Sequence, residues 1–537
     1  MHRPNYLMYI IVMSAIITST ILSKPTISQA ETSSGDTNQQ YDAREIIHNI
    51  GETNNPPIIR SRMAALAQII VDGKITIEES AGIVRNTPQF YNSLIDVKSH
   101  VDPIESDSAD DNLRSISLQW VNLLNDLHGQ PDRFHSLEKS DSKQLYTLLV
   151  YTKKYIYASS FMGVFRKLIQ QMKKEGITGN QLLGNLGYNR YEEFIEMIVT
   201  YNRLQVFLGT MDAESQTDLL GKYIDEIEDS RDMMSRSFVI ADAFRMIKDT
   251  KVFHSVQKAI QDKYILYEAA NDTEGKTIFG LLGSIYGQGA SVTQQWFKNI
   301  SKQYQLLANY DISVKALFGQ NAACIQQYFF YDDKEGLQSF QYFISQYHKK
   351  AGWRIFDKGT FVAVKSPVIY GRRIEIYANK PNHVKSGCAQ IRDFFINRNI
   401  NPVISVHRGH SYQVFMTLKE LSADSLLVFL GSCEGYRESA KTFDKCPRLV
   451  ALISTRGVTG AYINEIIGQV LNNELLRCNS RAFNLNKYWQ KLETDPRLKN
   501  DPDFSDFVDP VEGYGMRLRK TLTVLGVENA TPPSSGT

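Results

Sequence analysis

From about residue 360 to residue 476 the chain alternates short apolar runs with amphipathic stretches, and this alternation restricts the fold more than any other feature. Thr360-Phe361-Val362-Ala363-Val364 and Arg373-Ile374-Glu375-Ile376-Tyr377 read as strands, the second by its apolar period of two. Pro402-Val403-Ile404-Ser405-Val406, Ser425-Leu426-Leu427-Val428-Phe429-Leu430 and Leu449-Val450-Ala451-Leu452-Ile453-Ser454 are further apolar runs of strand length. Helices are expected at about Gly387 to Asn397, Phe415 to Leu421 and Tyr462 to Leu476. Strands separated by helices require a mostly parallel sheet covered on both faces.

Upstream, from about 42 to 345, the pattern is helical. Phe161, Val164, Phe165, Leu168, Ile169 and Met172 fall on one face of a helix, and Phe194, Met197, Ile198, Tyr201 and Leu208 repeat the arrangement. Both stripes read as core packing. No fixed-period repeat names a solenoid, so a bundle or irregular helical array is expected. The expected organisation is α followed by α/β: an all-helical domain over 42–345, then an α/β domain over 346–527.

The two ends read differently. Arg3, the mostly apolar stretch Tyr6 to Leu22 and the small residues about Ser28-Gln29-Ala30 describe a signal peptide over 1–30, followed by a linker over 31–41. The protein is then exported, either periplasmic or secreted, with no membrane segment after cleavage. Residues 528–537 have the composition of a disordered tail. Lys+Arg 60 against Asp+Glu 58 leaves a formal charge of +2, which gives no support to nucleic acid as a partner.

All 5 cysteines lie in the second half of the chain, and an odd number leaves at least one thiol unpaired in an exported protein. No Cys/His spacing suits a metal site, so neither metal nor cofactor is expected. Cys446 reads as buried or as a disulfide partner of, for instance, Cys478 or Cys388. Cys433 is different, because it follows an apolar strand in Leu426-Leu427-Val428-Phe429-Leu430-Gly431-Ser432-Cys433. His410 has a similar place, after Val403-Ile404-Ser405-Val406-His407-Arg408-Gly409. Parallel strands would bring both tips to one sheet edge, where α/β folds place their chemistry, and a thiol beside an imidazole is a nucleophile with its base. Taken singly, each residue is commonplace as packing. Their joint order and glycine context point to a site.

Gly431-Ser432-Cys433-Glu434-Gly435 also fits the nucleophile elbow of α/β-hydrolases, which places its histidine after the nucleophile. None of the 10 histidines follows Cys433, so that reading fails, and a papain-like arrangement fails for the same reason. His before Cys, each at a strand end, resembles the caspase/gingipain/legumain group of cysteine peptidases (clan CD) across about residues 350 to 480. The group carries a strand ending in His-Gly and a later strand ending in a small residue and the catalytic Cys. Here Gly409 precedes His410, and Ser411 follows it, so His407 stays an alternative base.

The resemblance implies a caspase-like α/β domain acting as a cysteine endopeptidase on a polypeptide substrate. Cys433 would be the nucleophile and His410 the base. The backbone N–H of Cys433, with one near Gly409 or Ser411, would form the oxyanion hole. Gly431 and Gly435 are expected to permit the turn that lifts the thiol off the sheet. Arg408 and Arg456 would pair with an acidic substrate side chain, whereas Glu434 and Asp424 would favour a basic one. The helical domain is expected to bind a partner or to restrain the peptidase, with activating cleavage near Lys349-Lys350. The rival reading is a non-enzymatic interaction or scaffold protein with an inactive domain of this kind.

Overall fold

A computed structural model describes residues 43–100, 107–227, 230–288, 295–307, 311–511 and 513–527. The signal peptide, the linker and the tail fall outside the described residues. Two bodies are present: helices from Ala43 to Gln303, and an α/β body built on an eight-stranded sheet. No described helix is long and apolar enough to cross a membrane.

The strands are β1 (Asp311–Ser313), β2 (Ala323–Phe330), β3 (Arg354–Asp357), β4 (Phe361–Lys365), β5 (Arg373–Asn379), β6 (Ile404–Arg408), β7 (Leu427–Gly431), β8 (Ala451–Thr455), β9 (Ala482–Asn484) and β10 (Phe507–Val508). The large sheet runs β10-β8-β7-β6-β2-β5-β4-β3, while β1 and β9 pair separately. Its centre, β8-β7-β6-β2-β5, is parallel, while the β10–β8, β5–β4 and β4–β3 pairings are antiparallel. The expected strands and helices of residues 360–476 are all present, within a few residues of their expected ends.

The sheet starts upstream of the boundary expected at 346. Its middle strand, β2, has the sequence Ala-Cys-Ile-Gln-Gln-Tyr-Phe-Phe and is buried along its whole length. A strand enclosed on both faces shows no alternation, and the Gln326-Gln327 pair interrupts its apolar run. The Gln326 amide nitrogen finds a partner inside, donating to Asn472 Oδ1 at 2.7 Å. Lys349-Lys350 therefore lies within the α/β body rather than between the two bodies. Lys350 Nζ donates to Asn473 Oδ1 at 2.7 Å and sits over the Trp353 ring.

Successive residues of β7 enter opposite interiors. Leu427 and Phe429 join a core with Tyr328, Phe330 and Val406, while Val428 and Leu430 join Phe329, Val414 and Leu418 on the other face. Each side chain so enclosed contributes about 1.5–3 kcal/mol. The helix Tyr514–Val524 leaves the α/β body and inserts Tyr514, Leu518 and Leu522 into the interior of the helical body.

A buried charge cluster also joins the two bodies. Asp242, on the helix Ser230–Ala243, takes Arg456 Nη2 at 2.8 Å and Tyr436 O–H at 2.8 and 2.9 Å. It also accepts the Gly515 N–H at 3.0 Å. The approach is close enough that a Cβ on Gly515 would lie 2.8 Å from the carboxylate. Removing one member of such a cluster strands the others. Asp242→Ala is expected to cost about 3–5 kcal/mol in denaturant unfolding, and Asp242→Asn, which keeps one accepting oxygen, less.

Candidate active site at the tips of the central strands

Phe330, Arg408 and Gly431 are paired across β2, β6 and β7. Two residues beyond Arg408 the chain reaches His410, and two residues beyond Gly431 it reaches Cys433. Adjacent parallel strands, about 4.8 Å apart, thus deliver both residues to the same sheet edge. β2 delivers two carboxylates there as well, Asp333 and Glu335, at the start of the helix Lys334–His348.

His410 is held by these acids. Its Nδ1 lies 3.0 Å from Glu335 Oε2, and its Nε2 lies 4.0 Å from Asp333 Oδ1. Gln413 fixes the loop by accepting the His410 N–H at 2.9 Å and donating to Asp333 Oδ2 at 2.6 Å. A Cβ on Gly409 would lie 2.5 Å from Gln413 Oε1 and 2.7 Å from the Tyr331 ring, so only glycine leaves room for this clamp. Burial raises the Glu335 carboxyl above its ordinary range, opposed by the charge of His410.

His407 serves the architecture. It is fully buried, with Nδ1 2.7 Å from Thr417 Oγ1 and Nε2 3.3 Å from the His410 carbonyl. A carbonyl only accepts, so Nε2 carries the proton and Nδ1 accepts from Thr417, which in turn lies 2.6 Å from Tyr331 O–H. Burial pushes this imidazole down to about 4, which keeps it neutral at physiological pH. With both nitrogens occupied, it has none to offer a thiol.

Cys433 is turned toward the loop after β8. Thr459 N–H donates to its sulfur at 3.5 Å, and the thiol donates to the Thr459 carbonyl at 3.7 Å. No hydrogen bond joins the sulfur to His410 or His407, and the side chain packs against the interior of the helical body. Burial, reinforced by the carboxylates of Glu335, Glu434 and Asp503, pushes the thiol up to about 12. The backbone N–H of Cys433 has no hydrogen-bond partner among the described residues. All five cysteines are free, and Cys446 is buried, so neither disulfide considered for it forms.

The turn after Cys433 is left-handed at Glu434 (φ 55°) rather than at a glycine. Gly435 answers a different need, since a Cβ there would lie 2.6 Å from the Leu430 carbonyl. Glu434 is buried beside Arg437, at 3.7 Å, and its N–H donates to the Gly457 carbonyl at 2.9 Å.

The arginines expected to meet substrate are already engaged. Arg408 is buried, with Nη2 3.2 Å from Glu465 and donating to the Ala461 carbonyl at 3.0 Å. Arg456 is buried against Asp242, donates to the Val199 carbonyl at 3.1 Å and covers the Tyr436 ring at 3.9 Å. Asp424, considered for a basic substrate, bonds Asn401 and Arg448 at 2.8 Å.

The helical body lies over this edge. His128 approaches His410 edge-on, with ring centroids 6.2 Å apart, and Tyr157 stacks on Tyr412, which itself stacks on His410. His128 Nδ1 accepts from Arg133 at 3.2 Å, and burial together with Arg133 and His410 lowers its imidazole. His128 thus reaches the strand tips from the other body. Comparison with protein-family models, with curated proteins and with solved structures finds no match.

Glu434 gives this region a pH signature. Burial raises its carboxyl from the ordinary 4.5 to about 7, against the opposing charge of Arg437. Between those values the folded protein keeps a proton that the unfolded chain has lost, so stability from this group falls as pH rises through the window. Glu434→Gln removes that decline. The melting temperature of the variant, relative to wild type, is expected to be several degrees higher at about pH 8 than at about pH 5.

Proposed function

We propose that the chain is an exported cysteine endopeptidase with a caspase-like α/β body, covered at its catalytic edge by the helical body. The observation that carries this reading is the equal displacement of His410 and Cys433 beyond paired residues of adjacent parallel strands. His410 Nε2 takes the thiol proton, and the Cys433 sulfur bonds to the scissile carbonyl carbon. The carbon–nitrogen bond then breaks as the imidazolium returns the proton to the leaving amine. Water, deprotonated by the same imidazole, hydrolyses the thioester and frees the sulfur. Glu335 on Nδ1 orients the ring and balances its charge, a third member that adds to the His/Cys dyad.

The Cys433 N–H, with one from the Gly409–Ser411 loop, would receive the oxyanion. Polypeptide is the substrate, and the chemistry needs neither metal nor cofactor. The sulfur must leave Thr459 for His410 before it can react, so the covered arrangement is a resting one. The helical body, besides covering the edge, offers a surface for a protein partner.

A second reading is favoured by one observation: the thiol has no imidazole partner, and its environment opposes ionisation. In that reading the protein is a non-enzymatic interaction or scaffold protein. A quenched-peptide library assayed on the intact chain and on Tyr157→Ala, which loosens the cover, separates the two. Cleavage is expected to rise in Tyr157→Ala and to vanish with Cys433→Ala. It should fall about a hundredfold or more with His410→Ala, and about tenfold or more with Glu335→Gln. His407→Ala should lower the melting temperature without changing the pH–rate profile. Absence of Cys433-dependent cleavage, with iodoacetamide labelling Cys433 no faster than Cys478 in either protein, would establish the scaffold reading.

A further inference from the structure

With Arg408, Arg456 and Glu434 engaged inside the protein and Asp424 paired with Arg448 at the surface, the selection of substrate falls to other groups. A cleft of about 480 Å³ opens between the helix Ala158–Glu175 and residues 502–506. That is within the roughly 300–1,000 Å³ of small-ligand sites. Met162, Phe165, Val206 and Val458 supply apolar walls. Val458 follows Gly457, whose carbonyl holds the Glu434 N–H, and precedes Thr459, which holds the Cys433 sulfur. The cleft therefore borders the thiol through one short segment.

Two acids line it. Asp506 is engaged by Arg203 at 3.2 Å and by Asn202 at 3.2 Å. The Asp503 carboxylate makes no hydrogen bond or ion pair among the described residues, and it stands close enough to Cys433 to oppose ionisation of the thiol. Burial and the neighbouring Asp501 and Asp506 raise its own carboxyl, as expected of an acid awaiting a cation. Arg166, a lining cation that makes no ion pair among the described residues, is exposed, where water screens it.

We propose that this cleft receives a lysine or arginine side chain of the substrate polypeptide, its aliphatic stem on Met162, Phe165, Val206 and Val458 and its cationic head on Asp503. The assignment deepens the peptidase reading and rests on it for the position of the cut, but the binding step does not need a working nucleophile. A long apolar stem ending in a cation matches a cleft that offers both apolar walls and an unpaired carboxylate.

The test uses the full chain carrying Cys433→Ala and three blocked hexapeptides identical except for a single lysine, norleucine or glutamate, with affinity measured by calorimetry. The lysine peptide is expected to bind about ten- to a hundredfold tighter than the norleucine peptide. Adding Asp503→Asn should erase that advantage and leave norleucine binding unchanged, while adding Asp503→Lys should transfer the advantage to glutamate. Equal binding of lysine and norleucine, no binding of any peptide, a lysine advantage that survives Asp503→Asn, or glutamate preference dependent on Arg166 would each overturn the proposal. In the chain with Cys433 intact, the same order should appear in kcat/KM. Lysine-selective binding without Cys433-dependent cleavage would defeat the peptidase reading and leave this assignment standing.

Discussion

The register Phe330–Arg408–Gly431 is the constraint on which everything else at the site depends. A ladder of main-chain hydrogen bonds holds three adjacent strands in step, so the residues that overrun it emerge together whatever their chemistry. A slip of one residue in β7 would turn Cys433 to the other face, because side chains alternate along a strand. Register is secure here because alternate residues of β7 are buried in two different interiors. Packing on both faces of the sheet thus fixes where His410 and Cys433 emerge, with no hydrogen bond between the two side chains.

Around that edge the protein has buried charge and paired it. Arg456 with Asp242, Arg408 with Glu465, and Glu434 with Arg437 are all enclosed or nearly so. Such pairs return little net stability, since desolvation consumes most of the attraction, but each is intolerant of losing one partner. Of the three, Arg456 with Asp242 reaches across to the helical body and ties it to the strand tips. The same enclosure that stabilises the arrangement keeps the Cys433 thiol protonated.

Much of the α/β body is legible in the sequence because its strands and helices differ in period. The strands before Cys433 and His410 announce themselves as apolar runs, and the sheet edge follows from their parallel pairing. β2 is not legible, since a strand covered on both faces has no alternation and Gln326-Gln327 mimics a polar turn of helix. Losing β2 also hides Asp333 and Glu335, which have meaning only as residues that overrun that strand. His128 is beyond reach for another reason. Its proximity to His410 depends on how two bodies dock, and nothing local to residues 125–135 encodes that. The arginines misled because charge near a strand tip reads as available for a ligand until a partner from elsewhere, Asp242 or Glu465, is seen beside it.

The helix Tyr514–Val524 bears on how the molecule is made. Tyr514, Leu518 and Leu522 complete an interior whose other members are translated long before them. The amino-terminal half therefore leaves the ribosome with a gap in its core, which is closed only after the sheet has been synthesised. The helical interior is thus completed from the far end of the chain, and Cys433, which packs against that interior, is covered as it closes.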